Sequence, residues 1–267
     1  MCIIAVKPQG VATPSKEILK NMFDANPHGA GIAFNSNGKL NIVKGLITFE
    51  EFWQACQKII KENGAIYHTR IETSGGICKE LTHPFLITND IKKQRQLHIE
   101  TTYGEAVAHN GVFGEFKFKE NENDTTQFIS TYLAPLQKAK WLADRSLLND
   151  DFELIINKLC GSSNKLAIIN QSGQIKRYGK NWVYDNGIYY SNHTYQTPQR
   201  TYSHHFYGPL TCLSWEDKTT EEKIIKSIHA QVKRLRNSDP DFEMVDQRWN
   251  MYMSEEELLD CYENGWV

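Results

Sequence analysis

Strand-forming segments in this chain fall into two groups, with paired helical patterns between them, and that spacing restricts the fold more than any single motif. The first group predicts strands at 2–6, 31–34, 39–43 and 65–69, and the second at 105–109, 166–170, 174–178 and 187–191. Asn37-Gly38 supplies the residue types that tolerate positive φ, so the second and third segments predict a hairpin. Ser15 is placed to cap a helix over 15–26, whose apolar face is Ile18, Leu19, Met22 and Phe23. Thr48 with Glu51 makes a capping box for a helix over 48–61. Further helices are expected after Asp124, with Phe128, Ile129, Tyr132 and Leu133 inward, and over 151–159. Residues 89–96 are polar and basic and read as a surface excursion. This order is not the strand–helix alternation of a doubly wound sheet. It predicts a layered α+β domain with mainly antiparallel sheets.

The 267 residues suit one large domain with an extension, and 40% hydrophobic content is enough for a substantial core. Composition shifts after Thr197, so the chain is expected to divide into 2–197 and 198–267. The second part is read as a helical extension, with helices over 219–236 and from Ser254. A net charge of −2 argues against nucleic acid as a partner. Six scattered cysteines without a CxxC pair indicate neither a disulfide framework nor a zinc site, and His204-His205 has no suitably spaced third ligand. No apolar run reaches ~18–20 residues, so no membrane span is expected, and MCIIAVKPQG lacks a signal-peptide pattern. A reducing cytoplasm follows as the expected setting, one that keeps a thiol free.

Cys2 stands directly behind Met1. Removal of Met1 leaves one residue with both a thiol (pKa about 8.5) and an α-amine (pKa about 7.7–8.0), a nucleophile and a base together. Alone, Cys2 reads as an ordinary buried residue at the start of a strand. Arg70 ends a strand and opens a Gly-bearing loop, where a guanidinium can fork onto a carboxylate or form a structural ion pair. Asn110-Gly111 follows a strand and reads either as an ordinary turn or as a side-chain amide and a backbone N–H aimed at one oxyanion. Asp124 opens a helical pattern, as its cap, as the partner of a substrate ammonium, or as both. His83 reads as a satisfied structural histidine beside the site.

Taken together and in order, Cys2-Ile3-Ile4, Ala30-Gly31, His68-Thr69-Arg70, Thr73-Ser74-Gly75, His83-Pro84, His109-Asn110-Gly111 and Asp124-Thr125 resemble the motifs of class II glutamine amidotransferases, over roughly residues 2–195. The chain departs from common family residues at Ile3, Ile71, Ser74 and His28. The resemblance implies a four-layer αββα sandwich of the N-terminal-nucleophile hydrolase type, and hydrolysis of glutamine to glutamate and ammonia. It implies Cys2 as nucleophile, Asn110 and Gly111 as oxyanion hole, and Arg70 and Asp124 as carboxylate and ammonium contacts of glutamine. Thr73, Ser74 and Gly75 are implied in a loop closing over the substrate. No cofactor and no metal is implied. The ammonia acceptor is expected on a separate synthase or other partner, because nothing after the first domain reads as one. Two other readings stay open: an amidase acting on γ-glutamyl or other amides without ammonia transfer, and an inactive glutamine-binding or scaffold protein.

Overall fold

The computed structural model describes residues 2–71, 78–117, 122–138 and 146–196, together with two short strands near the C-terminus. The chain divides into two units, Met1–Ser203 and His204–Val267. In the first unit the strands are β1 (Ile3–Lys7), β2 (Ala30–Ser36), β3 (Lys39–Leu46), β4 (Ala65–Thr69), β5 (Phe85–Leu86), β6 (His98–Thr101), β7 (Glu105–Asn110), β8 (Lys165–Asn170), β9 (Ile175–Tyr178), β10 (Val183–Asp185) and β11 (Ile188–Tyr190). The helices are α1 (Lys16–Ala25), α2 (Phe49–Cys56), α3 (Ile91–Gln94), α4 (Asp124–Phe128), α5 (Ala134–Lys138) and α6 (Glu153–Cys160). A π-helical turn, Ile129–Leu133, joins α4 to α5.

The strands build two antiparallel sheets, one ordered β10-β11-β1-β4-β2-β3-β6 and one ordered β5-β7-β8-β9. Period-two alternation sorts the side chains of β1 between two cores. Ile3 and Ala5 join Leu19, Met22 and Phe23 of α1 and Phe52 of α2. Ile4 and Val6 join Ala106 and Ala108 of β7 and Ala167 and Ile169 of β8. On its other face β8 sends Leu166 and Ile168 into a third core with Phe128, Phe152 and Ile156. Each fully buried Ile, Leu or Phe contributes about 1.5–3 kcal/mol, and β1 is buried along its whole length.

Local signals in the sequence translate directly. Ser15 Oγ accepts from the Ile18 N–H and starts α1, and Thr48 with Glu51 closes a reciprocal capping box on α2. Asn37 and Gly38 both take positive φ between β2 and β3. Three expectations change. Helix α2 stops at Cys56 rather than reaching residue 61: the Lys58 and Ile59 N–H groups turn to the carbonyls three residues back, Ala55 and Cys56, and Lys7 Nζ holds the Ile60 and Lys61 carbonyls at 3.1 Å. Residues 89–96 are not merely a surface excursion: Asp90 caps α3, and Gln94 is buried with its carbonyl 2.6 Å from Lys44 Nζ. The expected closing meander is split between sheets, since β8 and β9 lie in the small sheet while β11 pairs with β1.

In the second unit, Val245–Asp246 pairs antiparallel with Met251–Tyr252. The helices expected at 219–236 and from Ser254 lie outside the described residues. No described helix is long and apolar enough to cross a membrane.

Candidate active site

Strand register brings the first site residues together. Ile3 stands opposite Thr69 across β1 and β4, so Cys2 emerges beside Arg70. Cys2, Arg70, Gly111 and Asp124 line one cleft, joined by Ile71, His83, His109, Asn123 and Thr125. Cys2 is half-buried, and its thiol donates to the Ile71 carbonyl at 3.4 Å. Burial pushes the thiol pKa up and Asp124 adds to the rise, while the Arg70 charge opposes it. A thiol held up in this way needs a base to become a nucleophile near neutral pH.

Arg70 is only 3% exposed. Its own N–H donates to the Gly29 carbonyl at 2.8 Å, and its carbonyl accepts from the His28 N–H at 2.9 Å. These main-chain bonds fix the point from which the guanidinium enters the cleft. Asp124 is the first helical residue of α4, not its cap. Asn123 caps the helix, in a reciprocal box with Thr126. The Asp124 carboxylate accepts from the Phe113 N–H at 2.9 Å and the Thr125 N–H at 2.8 Å, which fixes its position at the cleft wall.

Asn110 ends β7, and Gly111 follows with φ +147°. A Cβ at Gly111 would overlap the Asn164 carboxamide, 2.8 Å from its Cγ, so both conformation and space require glycine. The Asn110 carboxamide meets Ser191 Oγ at 2.8 Å through Nδ2, and its buried Oδ1 has no partner among the described residues. Thr73, Ser74 and Gly75 lie outside the described residues.

His83, His109 and Thr125 at the cleft wall belong to a buried network that the sequence reading did not anticipate. Asn164 Nδ2 donates to the Cys160 carbonyl at 2.9 Å, so its Oδ1 is the acceptor facing His109 Nε2 at 3.0 Å. His109 is therefore protonated on Nε2, and its Nδ1 accepts the Thr125 hydroxyl at 2.8 Å. His68 Nε2 donates to the His109 carbonyl at 3.0 Å, and His83 Nδ1 meets the His109 N–H at 3.2 Å. Burial lowers the pKa of all three histidines: His68 to about 3, His83 well below its usual value, and His109 below it against the opposing pull of Asp124. The network ties the strand end that carries Asn110 and Gly111 to the helix that carries Asp124. Asn164 and Ser191 had no sequence signal of their own, because their partners lie 55 and 81 residues away. Among the described residues no His, Cys, Asp and Glu are grouped so as to hold a metal ion.

No protein-family model matches the chain, and no curated protein does. Among solved structures it is similar to a glutamine phosphoribosylpyrophosphate amidotransferase from B. subtilis complexed with ADP and GMP, at 19% identity and a TM-score of 0.41, over 64% of this chain and 35% of that one. It is also similar to a structure described as the allosteric regulatory enzyme of purine biosynthesis, at 20% identity and a TM-score of 0.39, over 64% of this chain and 36% of that one. The chain thus spans about a third of the length of either structure.

Proposed function

We propose that this chain is a class II glutamine amidotransferase, in which Cys2, once Met1 is removed, hydrolyses the side-chain amide of glutamine to glutamate and ammonia. The observation that carries the reading is the meeting of Cys2, Arg70, Gly111 and Asp124 in one cleft, from four separate segments. A free amino acid presents a carboxylate and an ammonium at one end, and Arg70 and Asp124 complement them. The amide at its other end then lies toward Cys2.

The Cys2 α-amine, directly or through a water, takes the thiol proton, and the thiolate attacks the amide carbon. The Asn110 side chain and the Gly111 N–H stabilise the tetrahedral oxyanion. The protonated amine gives its proton to the leaving nitrogen, ammonia departs, and a γ-glutamyl thioester remains. Water, deprotonated by the same amine, attacks the thioester, and glutamate leaves as the thiol is restored. The reading extends to the architecture: the three cores stack as a helix–sheet–sheet–helix sandwich of the N-terminal-nucleophile hydrolase type, within a domain covering 2–197. Ammonia passes to an acceptor on a separate synthase or other partner protein, in the cytoplasm.

The test is glutamate release from glutamine by the purified protein, with Cys2→Ala alongside and the N-terminal mass measured on the same sample. Release that depends on Cys2 is expected. Protein confirmed to begin at Cys2 that releases none from glutamine, yet cleaves a γ-glutamyl amide, overturns the glutamine assignment in favour of a different amidase. Thermal stabilisation by glutamine with no cleavage of either substrate overturns hydrolysis altogether.

A further inference from the structure

Two polar groups beside Asn110 do not add up as they are oriented. Ser191 is 1% exposed, and its Oγ accepts the Ile4 N–H at 2.9 Å. With Asn110 Nδ2 also donating to that oxygen, Ser191 accepts two bonds, and its own proton has no acceptor among the described residues. Asn110 Oδ1 meanwhile is buried with no partner among the described residues. A carboxamide turned half a revolution about its last bond exchanges nitrogen and oxygen without moving any other group. After that turn Ser191 accepts from Ile4 and donates to Asn110 Oδ1, so the hydroxyl is fully used, while the two amino hydrogens of Asn110 are left without an acceptor among the described residues. The amino group then occupies the place where the oxygen had no partner. An oxygen there would repel a developing oxyanion, whereas an N–H there stabilises one.

We propose that Ser191 is a positioning residue for the hydrolysis: its hydroxyl donates to Asn110 Oδ1 and thereby turns the Asn110 amino group toward the reacting amide oxygen. The proposal rests on the amide hydrolysis assigned above. Ser191 is well placed for the task, because the same segment anchors the nucleophile's strand. The Ser191 N–H donates to the Ile4 carbonyl at 2.9 Å, and Asn192 Nδ2 donates to the Cys2 carbonyl at 2.9 Å. One short stretch after β11 therefore sets both the strand behind Cys2 and the orientation of the oxyanion donor. The Ser191 carbonyl is held in turn by Lys165 Nζ, at the start of β8.

The experiment compares Ser191→Ala and Ser191→Thr in the full chain. Ser191→Ala is expected to lower kcat by about 10–100-fold, a fraction of a whole oxyanion donor, with KM for glutamine within about twofold. Ser191→Thr keeps the hydroxyl and restores most of kcat, even where both variants lose thermal stability. A purely structural serine predicts no such split, since kcat would then follow stability in both variants. Neutron diffraction of the wild-type protein reads the amide directly, and the amino deuterons of Asn110 are expected to face away from Ser191 Oγ. Amino deuterons facing Ser191 Oγ, or wild-type turnover by Ser191→Ala, overturn the proposal. A wild-type protein that releases no glutamate overturns the hydrolysis reading and the catalytic half of this one. The neutron result then decides the hydrogen-bond half independently.

Discussion

Two strand ends deliver the main groups of the cleft, and they are secured by different means. At the end of β4, His68-Thr69-Arg70 is held largely by main-chain bonds, with Arg70 bonded to Gly29 and His28. At the end of β7, His109-Asn110-Gly111 is held by side chains: Asn164, Thr125, His68 and His83 converge on His109, and Ser191 meets Asn110. A main-chain bond survives most substitutions, whereas a side-chain bond vanishes with the residue that makes it. Chemistry at the β4 end should therefore depend on Arg70 itself, and chemistry at the β7 end on several side chains acting together.

The largest expected effect is at Gly111. Gly111→Ala forces a Cβ into the Asn164 carboxamide at φ +147° and shifts the N–H that the mechanism needs. Turnover should fall by about 10²–10³, the usual cost of losing an oxyanion donor. Steady-state glutamate release measures this. Retention of wild-type kcat would mean that the β7 end is less confined than its network implies.

Next is Arg70→Lys, which keeps the charge and the main-chain bonds but loses the planar fork. KM for glutamine should rise by about 10–100-fold, matching about 1.5–3 kcal/mol for a hydrogen bond to a charged group, with kcat changed far less. Melting should change less than KM, because the Arg70 N–H and carbonyl keep their bonds to Gly29 and His28 in the variant. A fall in kcat with unchanged KM would place Arg70 at the reacting bond rather than at the substrate carboxylate.

How much of this contrast was legible beforehand follows from the range of the interactions. Caps and tight turns depend on residues within four positions of one another, so Ser15, Thr48 with Glu51, and Asn37-Gly38 were readable from the sequence. Cys2, Arg70, Asn110, Gly111 and Asp124 stood out as types at strand ends and helix starts, and all but Asn110 line the cleft. Asp124 was mistaken for a possible cap because Asn123 directly precedes it, and either residue type serves. The brace on the β7 end was invisible. Ser191 and Asn164 are ordinary polar residues until the fold brings them to partners 81 and 55 positions away. The pairing of β11 with β1 escaped for the same reason, since a strand's periodicity does not name its neighbour.

Acid titration tests the histidines that join the two ends. His68 has its folded pKa lowered by burial to about 3, whereas an unfolded histidine titrates near 6.5. Between those values the unfolded chain binds the additional proton, so stability rises with pH across the window and is lost on acidification. His83 and His109 shift in the same direction, so their contributions have the same sign. His68→Gln keeps a donor near the His109 carbonyl and should flatten the acid limb by up to about 1.4 kcal/mol per pH unit. Urea unfolding from pH 7 to pH 4 reads the slope. Identical acid limbs in variant and wild type would show that His68 is already protonated when folded.

The smallest effect belongs to Thr69, where the β4 end uses a side chain after all. Its hydroxyl donates to the Met22 carbonyl at 2.8 Å and fastens β4 to α1. Thr69→Val preserves shape and removes that bond, while the Met22 carbonyl keeps Asn26 Nδ2 as a donor at 3.2 Å. The loss should be about 1 kcal/mol of stability, one ordinary hydrogen bond with its acceptor still satisfied. Both kcat and KM should hold, because Arg70 is positioned by its own N–H and carbonyl. Chemical denaturation alongside kinetics separates the two. A stability loss with intact kinetics would confirm that main-chain bonds suffice to aim Arg70. A rise in KM comparable to that of Arg70→Lys would show instead that both strand ends are aimed by their side chains, and the contrast between them would collapse.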